Sequence, residues 1–255
     1  HYHWRDLEPE EGKYNFTQID KHLAGLASHK KRLVILFQIK SFDLLDNVVP
    51  AYMRTSTYDG GQIAYVSSLT GEPHSYLIKL WNDKIRARFG ALLQALGSRY
   101  NTHPYFEAIG FTESSSGTNL TDTQNIGYYD GLLLVDQSAR KHFPNTTVYQ
   151  FVNHTRKYLE SFITTLKNMG ASLGGPDILP TDLSLTIVDD PKSPDGVYSY
   201  YPKLSGTVPL MPSIQPIDYR YTSARKSEPG HVPTLQELYD YGKDNLKANY
   251  LYWRR

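Results

Sequence analysis

Tyr105-Phe-Glu-Ala-Ile-Gly-Phe-Thr-Glu-Ser114 decides how the rest of the chain is read. Phe106, Ala108, Ile109, Gly110 and Phe111 form a short apolar run, the pattern of a strand covered on both faces of a parallel sheet. The run ends in Thr112-Glu113-Ser114, and Ser115, Ser116 and Gly117 follow. A carboxylate at the tip of a buried strand, ahead of a Ser/Gly loop, is where an α/β barrel carries its chemistry. The other reading of Glu113 is a solvated loop residue or an ion-pair partner.

Working outward, the same alternation recurs. His1 to Arg5 reads as the end of a strand. Thr17-Gln-Ile-Asp20 resembles a capping box opening a helix with Ile19, Leu23 and Leu26. Leu33-Val-Ile-Leu-Phe37 is a buried strand that turns polar at Gln38 and Lys40. Asp43 to Lys79 reads as one long loop, and a loop of that length is usually functional. Trp81, Ile85, Phe89, Leu92, Leu93 and Leu96 then share a helical face. A helix over about 123–141 carries Ile126, Leu132, Leu133 and Ala139. Thr147–Val152 is a strand ending in Asn153, and Tyr158, Phe162 and Leu166 mark the helix after it. Ala171 onward gives a short strand into the Gly174-Gly-Pro-Asp177 turn. Thr207–Gln215 is a strand in which Pro209 and Pro212 suggest strain or bulges. Thr234-Leu-Gln-Glu237 is a capping box, and Asn249–Trp253 is the last strand.

Strand and helix thus alternate about seven times across 255 residues, with no linker and no internal repeat. The expected fold class is α/β: a single (β/α)8 TIM-type barrel over residues 1–255, with its first strand lacking or modified. The competitor, an open doubly wound sheet, lacks its nucleotide fingerprints here: neither G-x-G-x-x-G nor a Walker loop occurs.

Charge and composition narrow the function. Lys+Arg 27 against Asp+Glu 26 leaves a net charge of +1, so no basic footprint for nucleic acid is present. No apolar stretch approaches the ~20 residues that span a bilayer. The absence of cysteine removes disulfides, thiolate metal sites and cysteine nucleophiles. His1 and His3 could point two imidazoles one way, but nothing else in the chain asks for a metal, and none is expected. No cofactor is expected either. A G-x-S-x-G elbow does not occur. The 21 tyrosines suit wet, sugar-like ligands, since each offers an apolar face and one hydrogen-bonding end; a Tyr-rich surface would give the same count. The opening His1-Tyr-His-Trp4 reads as a trimmed end, and a secreted or extracytoplasmic setting is favoured. Oligomeric state is left open.

Three stretches resemble barrel glycoside hydrolases of the β-galactosidase and cellulase-like kind. Trp4-x-x-Leu-Glu-Pro-Glu-Glu-Gly-x-Tyr-x-Phe16 resembles the segment after their second strand. Pro104 to Glu113 looks like their fourth strand, whose terminal Glu is the acid/base. Asn249-Tyr-Leu-Tyr-Trp253 looks like their eighth, where an aromatic residue floors the sugar site. The resemblance implies hydrolysis of glycosidic bonds in a polysaccharide or oligosaccharide, with Glu113 as acid/base.

It also implies a Glu nucleophile at the end of the seventh strand, where this chain has Gln215 in Met211-Pro-Ser-Ile-Gln-Pro-Ile-Asp218. Three accounts remain open: an engineered Glu-to-Gln change, another acid such as Asp177 or Asp218, or loss of hydrolysis. Asp177 also reads as a turn residue bonding its own backbone, and Asp218 as the partner of Arg220. Trp4, Arg5, Gln38, Lys40, Asn153, Gln215, Tyr219 and Trp253 are the candidate sugar-binding residues, grouped by their place at strand ends. The rival functions are a non-catalytic carbohydrate-binding barrel, and a polysaccharide lyase using Arg5, Lys40 and Tyr219.

Overall fold

The computed structural model describes residues 1–67, 70–153, 156–186, 195–220 and 231–253. They fall into two compact units, His1–Thr112 with Ser116–Val148, and Glu113–Ser115 with Tyr149–Arg255.

The first unit begins with β1 (Tyr2–His3) and turns at once into a single helical turn, α1 (Trp4–Leu7), so the expected strand stops short of Arg5. α2 (Thr17–Ser28) follows, then β2 (Leu33–Gln38). The capping box expected at Thr17 does not form: Phe16 holds the cap position, and Asp20 instead accepts from Arg99 and Tyr100. The stretch expected as one long loop has its own structure, two short 3-10 turns and the antiparallel hairpin β3 (Gln62–Val66) and β4 (Pro73–Ile78).

α3 (Asp83–Tyr100) is capped by Asn82, whose side chain accepts from the Lys84 and Ile85 amides, and it buries the expected Ile85, Phe89, Leu92, Leu93 and Leu96. β5 (Phe106–Phe111) and α4 (Asp122–His142) complete the unit. α4 carries a Thr121/Gln124 capping box and turns Tyr128, Leu132, Val135 and Ala139 inward, leaving Ile126 exposed.

β1, β2 and β5 pair in parallel, with Phe37 opposite both Tyr2 and Phe111. Their core is an aromatic cluster: Trp4 stacks on Phe89 at 4.5 Å, and Phe89 meets Phe37 at 4.8 Å and Phe111 at 5.8 Å. Beside it lies Glu8, wholly buried and neutralised by Arg88, with the Trp4 indole N–H at 2.8 Å and the Gly12 amide at 2.9 Å. A buried carboxylate is tolerable only when it is paired and hydrogen-bonded, and these three donors do that.

The second unit is entered through β6 (Thr147–Phe151) and continues with α5 (Arg156–Asn168), β7 (Ser172–Gly175), α6 (Leu183–Thr186), α7 (Tyr200–Leu204), β8 (Leu210–Ile214), α8 (Pro216–Arg220), α9 (Leu235–Asp240) and β9 (Tyr252–Trp253). β6, β7, β8 and β9 pair in parallel in that order. Every residue of β7 and β8 is buried, as a strand covered on both faces requires. Gly174 is fixed by packing: a Cβ there would lie 2.6 Å from the Phe151 ring and 2.9 Å from the Met211 carbonyl. The bulges expected from the prolines are not seen; Pro212 sits opposite Gly175 in unbroken register. The Thr234/Glu237 capping box forms as expected, while the last strand is only two residues long. No described helix is long and apolar enough to cross a membrane.

Candidate functional site

In the second unit the carboxyl ends of neighbouring strands carry polar side chains, and local rules aim each one. Glu113 follows β5, and its backbone is fixed by the Ser114 amide bonding the Phe151 carbonyl at 3.0 Å. Asn153, just past β6 and 5% exposed, donates from Nδ2 to Glu113 Oε2 at 3.1 Å. Asn153 is held in turn by its own amide on Ser114 Oγ at 3.4 Å.

Asp177 stands two residues beyond β7, and Gln215 one residue beyond β8. The Gln215 side-chain amide donates to Asp177 Oδ1. Gln215 also opens α8, with Pro216 at the first helical position, where a missing N–H costs nothing. Asp218, the third residue of that helix, reaches back to the Gln215 amide at 3.0 Å, the return bond of a capping box. Its Oδ2 also accepts from the Ile178 amide at 3.1 Å. That return bond turns Asp218 inward, 1% exposed, beside Asp177. Burial first, then the negative charge of Asp177, pushes the Asp218 carboxyl up to about 8, against the pull of its two backbone donors.

The expected Asp218–Arg220 pair is therefore not the arrangement found. The Arg220 guanidinium lies over the Tyr219 ring at 6.0 Å. Nor is Asp177 a self-bonded turn residue: its side chain takes the Gln215 amide, and its carbonyl takes the Tyr198 hydroxyl at 3.0 Å. Tyr198 is a residue that sequence reasoning missed. Its oxygen accepts from the Leu179 amide at 2.9 Å while donating to Asp177, clamping the turn. It lies in Val197-Tyr-Ser-Tyr-Tyr201, a run with no periodic signal to single it out. Trp253 closes β9 opposite Ile214 with 44% of its surface exposed.

The candidates in the first unit behave differently. Trp4, expected at the sugar, is fully buried with its ring on Phe89 and its N–H on Glu8, so neither is open to a ligand. Arg5 donates to Asp46 and to the Asn47 carbonyl. Gln38 donates to Asp46 at 3.5 Å. Lys40 is 4% exposed, with its ammonium 3.9 Å from the Tyr65 ring centre. Arg5 thus directs its charge to Asp46, and the Lys40 ammonium lies against an aromatic ring. Among the described residues no cluster of three or more His, Asp or Glu could hold a metal ion.

No known family matches the sequence, and no curated protein does. Solved structures do match. The catalytic domain of a β-amylase from Paenibacillus polymyxa is 8% identical with a TM-score of 0.63, covering 99% of this chain and 83% of its own. A psychrophilic glycoside hydrolase family 10 endo-β-1,4-xylanase is 11% identical with a TM-score of 0.55, over 98% and 75%. A cold-adapted β-galactosidase from Rahnella sp. R3 is 14% identical with a TM-score of 0.57, over 98% of this chain and 44% of its own. The fold is that of the TIM-barrel glycosidases, α/β in class, as the sequence led us to expect.

Proposed function

We propose that the chain is a glycoside hydrolase acting on an oligosaccharide or polysaccharide, with Glu113 as acid/base and Asp177 as the second carboxylate. The observation that carries this is the chemistry of the strand ends in the second unit: Glu113 and Asp177 are met by the amides of Asn153 and Gln215. An amide orients a carboxyl group without neutralising it as a guanidinium does.

Hydrolysis of a glycosidic bond uses two such groups. Glu113, oriented by the Asn153 N–H on Oε2, protonates the leaving oxygen. Asp177 then attacks the anomeric carbon or draws a proton from the attacking water. Gln215, an amide, cannot be a nucleophile; it orients Asp177. The exposed indole of Trp253 offers an apolar face to a sugar ring. That all the relatives above are glycoside hydrolases supports the reading.

The test is reducing-sugar release from a panel of neutral and acidic polysaccharides, with Glu113→Gln beside the native protein. We expect release by the native protein and a loss of about 10²–10⁴-fold in the variant, the usual worth of a general acid. Sugar binding without release from any substrate would overturn the hydrolase and leave a carbohydrate-binding barrel.

A further inference from the structure

Asp218 is buried, with 1% of its surface exposed. Its Oδ2 is taken by the Ile178 and Gln215 amides. Its Oδ1 is buried and receives no N–H or O–H donor. Both carboxyl groups meet Gln215, Asp177 at its side-chain amide and Asp218 at its backbone amide, and the Ile178 amide from which Asp218 accepts is that of the residue after Asp177. Two ionised carboxylates have acceptors only, so a bond between them needs a proton.

We infer that Asp177 and Asp218 hold one proton between them, with Asp218 keeping it and donating it to Asp177, so that the pair carries a single negative charge. Asp218 is then a positioning residue. The groups around it are Asp177 from the end of β7, Tyr198 through its bond to the Asp177 carbonyl, and Tyr241, whose ring lies 5.8 Å from that of Tyr198. On its own helix, Arg220 lies over Tyr219. Among the described residues, the charged group that bears most on Asp218 is Asp177. Like charges packed this closely do not both ionise; one keeps its proton far above the usual carboxylate range.

The consequence for catalysis rests on the hydrolase reading. Asp177 would be held by two donors, the Gln215 amide and the Asp218 hydroxyl, as an oriented, ionised carboxylate. Loss of the Asp218 proton in alkali would remove one donor and add a second negative charge behind the reacting group.

The experiment is infrared difference spectroscopy of the whole protein against Asp218→Asn, run from acid to alkaline pH without substrate. Asn preserves the shape: its oxygen accepts from the two backbone amides, and its N–H still donates to Asp177. We expect a protonated-carboxyl band in the native protein at pH 6, missing from Asp218→Asn and fading as pH passes about 8. Asp136, also buried and raised by burial, contributes equally to both proteins and cancels. In Asp177→Asn the remaining Asp218 band should titrate at lower pH, because the neighbouring charge is gone.

A difference spectrum with no such band at pH 6, or an Asp218 titration unmoved by Asp177→Asn, overturns the shared proton. Both readouts are independent of turnover, so failure of the hydrolase reading shows up separately. With a substrate in hand, the alkaline limb of kcat/KM should move up by at least one pH unit in Asp218→Asn, with kcat falling more than KM rises. An unmoved limb overturns the positioning role.

Discussion

Four carboxylates of the first unit and the strand-end acids of the second have opposite kinds of partner. In the first unit the four meet a guanidinium, Glu8 with Arg88, Asp46 with Arg5, Asp20 with Arg99 and Glu107 with Arg32, while Asp136 is buried without a hydrogen-bonding partner among the described residues. In the strand-end cluster of the second, carboxyl groups meet amides: Glu113 that of Asn153, Asp177 the side-chain amide of Gln215, and Asp218 the backbone amides of Gln215 and Ile178. A fixed cation locks a carboxylate in its charged form and makes it structural. Amides orient a carboxyl group without neutralising it, an arrangement suited to acid/base work. Asp20 and Asp218 show the contrast: Arg99 holds the first below the ordinary carboxylate value, while burial lifts the second to about 8.

This contrast can be broken from either side. The largest stability effect should come from Arg88→Met, which leaves Glu8 as an uncompensated buried charge and should cost about 3–5 kcal/mol in urea unfolding. A cost below about 1 kcal/mol would mean that the indole and Gly12 donors suffice, and that the cation is not what makes the first unit's carboxylates structural.

In the second unit, Asp218→Ala orphans the Ile178 and Gln215 amides, each worth about 1–3 kcal/mol when buried unpaired. Asp218→Asn keeps both bonds and should cost much less. Equal costs would show that the return bond does not organise α8.

The pH dependence sharpens the point further. Below about pH 4, Asp218 is protonated both folded and unfolded, from the ordinary value of 3.8. Between there and about pH 8 the unfolded chain has released this proton and the folded one has not. Stability therefore falls as pH rises through that window and levels off above it. The urea midpoint of the native protein should drop relative to Asp218→Asn from pH 4 to 8; parallel midpoints would refute the burial argument. Asp20 has the opposite sign: its depressed value stabilises above the ordinary carboxylate range and is lost in acid. That pair is exposed, so Arg99→Ala should have the smallest effect of the set on the urea midpoint.

The strands were legible because burial on both faces leaves an uninterrupted apolar run, as in Leu33–Phe37 and Phe106–Phe111. Glu113 was legible as the polar residue that ends such a run. Trp4 and Glu8 were misleading for a physical reason. The motif that resembles glycosidases is recognisable because a buried carboxylate needs an indole, a backbone amide and a guanidinium together, and that need is structural. The hairpin inside the expected long loop escaped because Gln62–Val66 and Pro73–Ile78 are half-polar and short. Asp177 and Asp218 were visible as acids, yet their pairing was not: it depends on a helix beginning at Pro216 and returning Asp218 inward, a contact 40 residues apart in sequence. Tyr198 could be found only in three dimensions.

The most direct test of the contrast is to measure kcat for Asp177→Asn and Asp46→Asn side by side, on whichever glycoside the native protein cleaves best. Asp177→Asn should lose about 10³-fold or more in kcat while remaining folded, as removal of a carboxylate that stabilises the transition state does. Asp46→Asn should stay within about tenfold in kcat, its effect falling on stability or KM, because its charge is already consumed by Arg5. A kcat for Asp177→Asn within tenfold of native, or an Asp46→Asn loss as large as that of Asp177→Asn, would contradict the division between the two units.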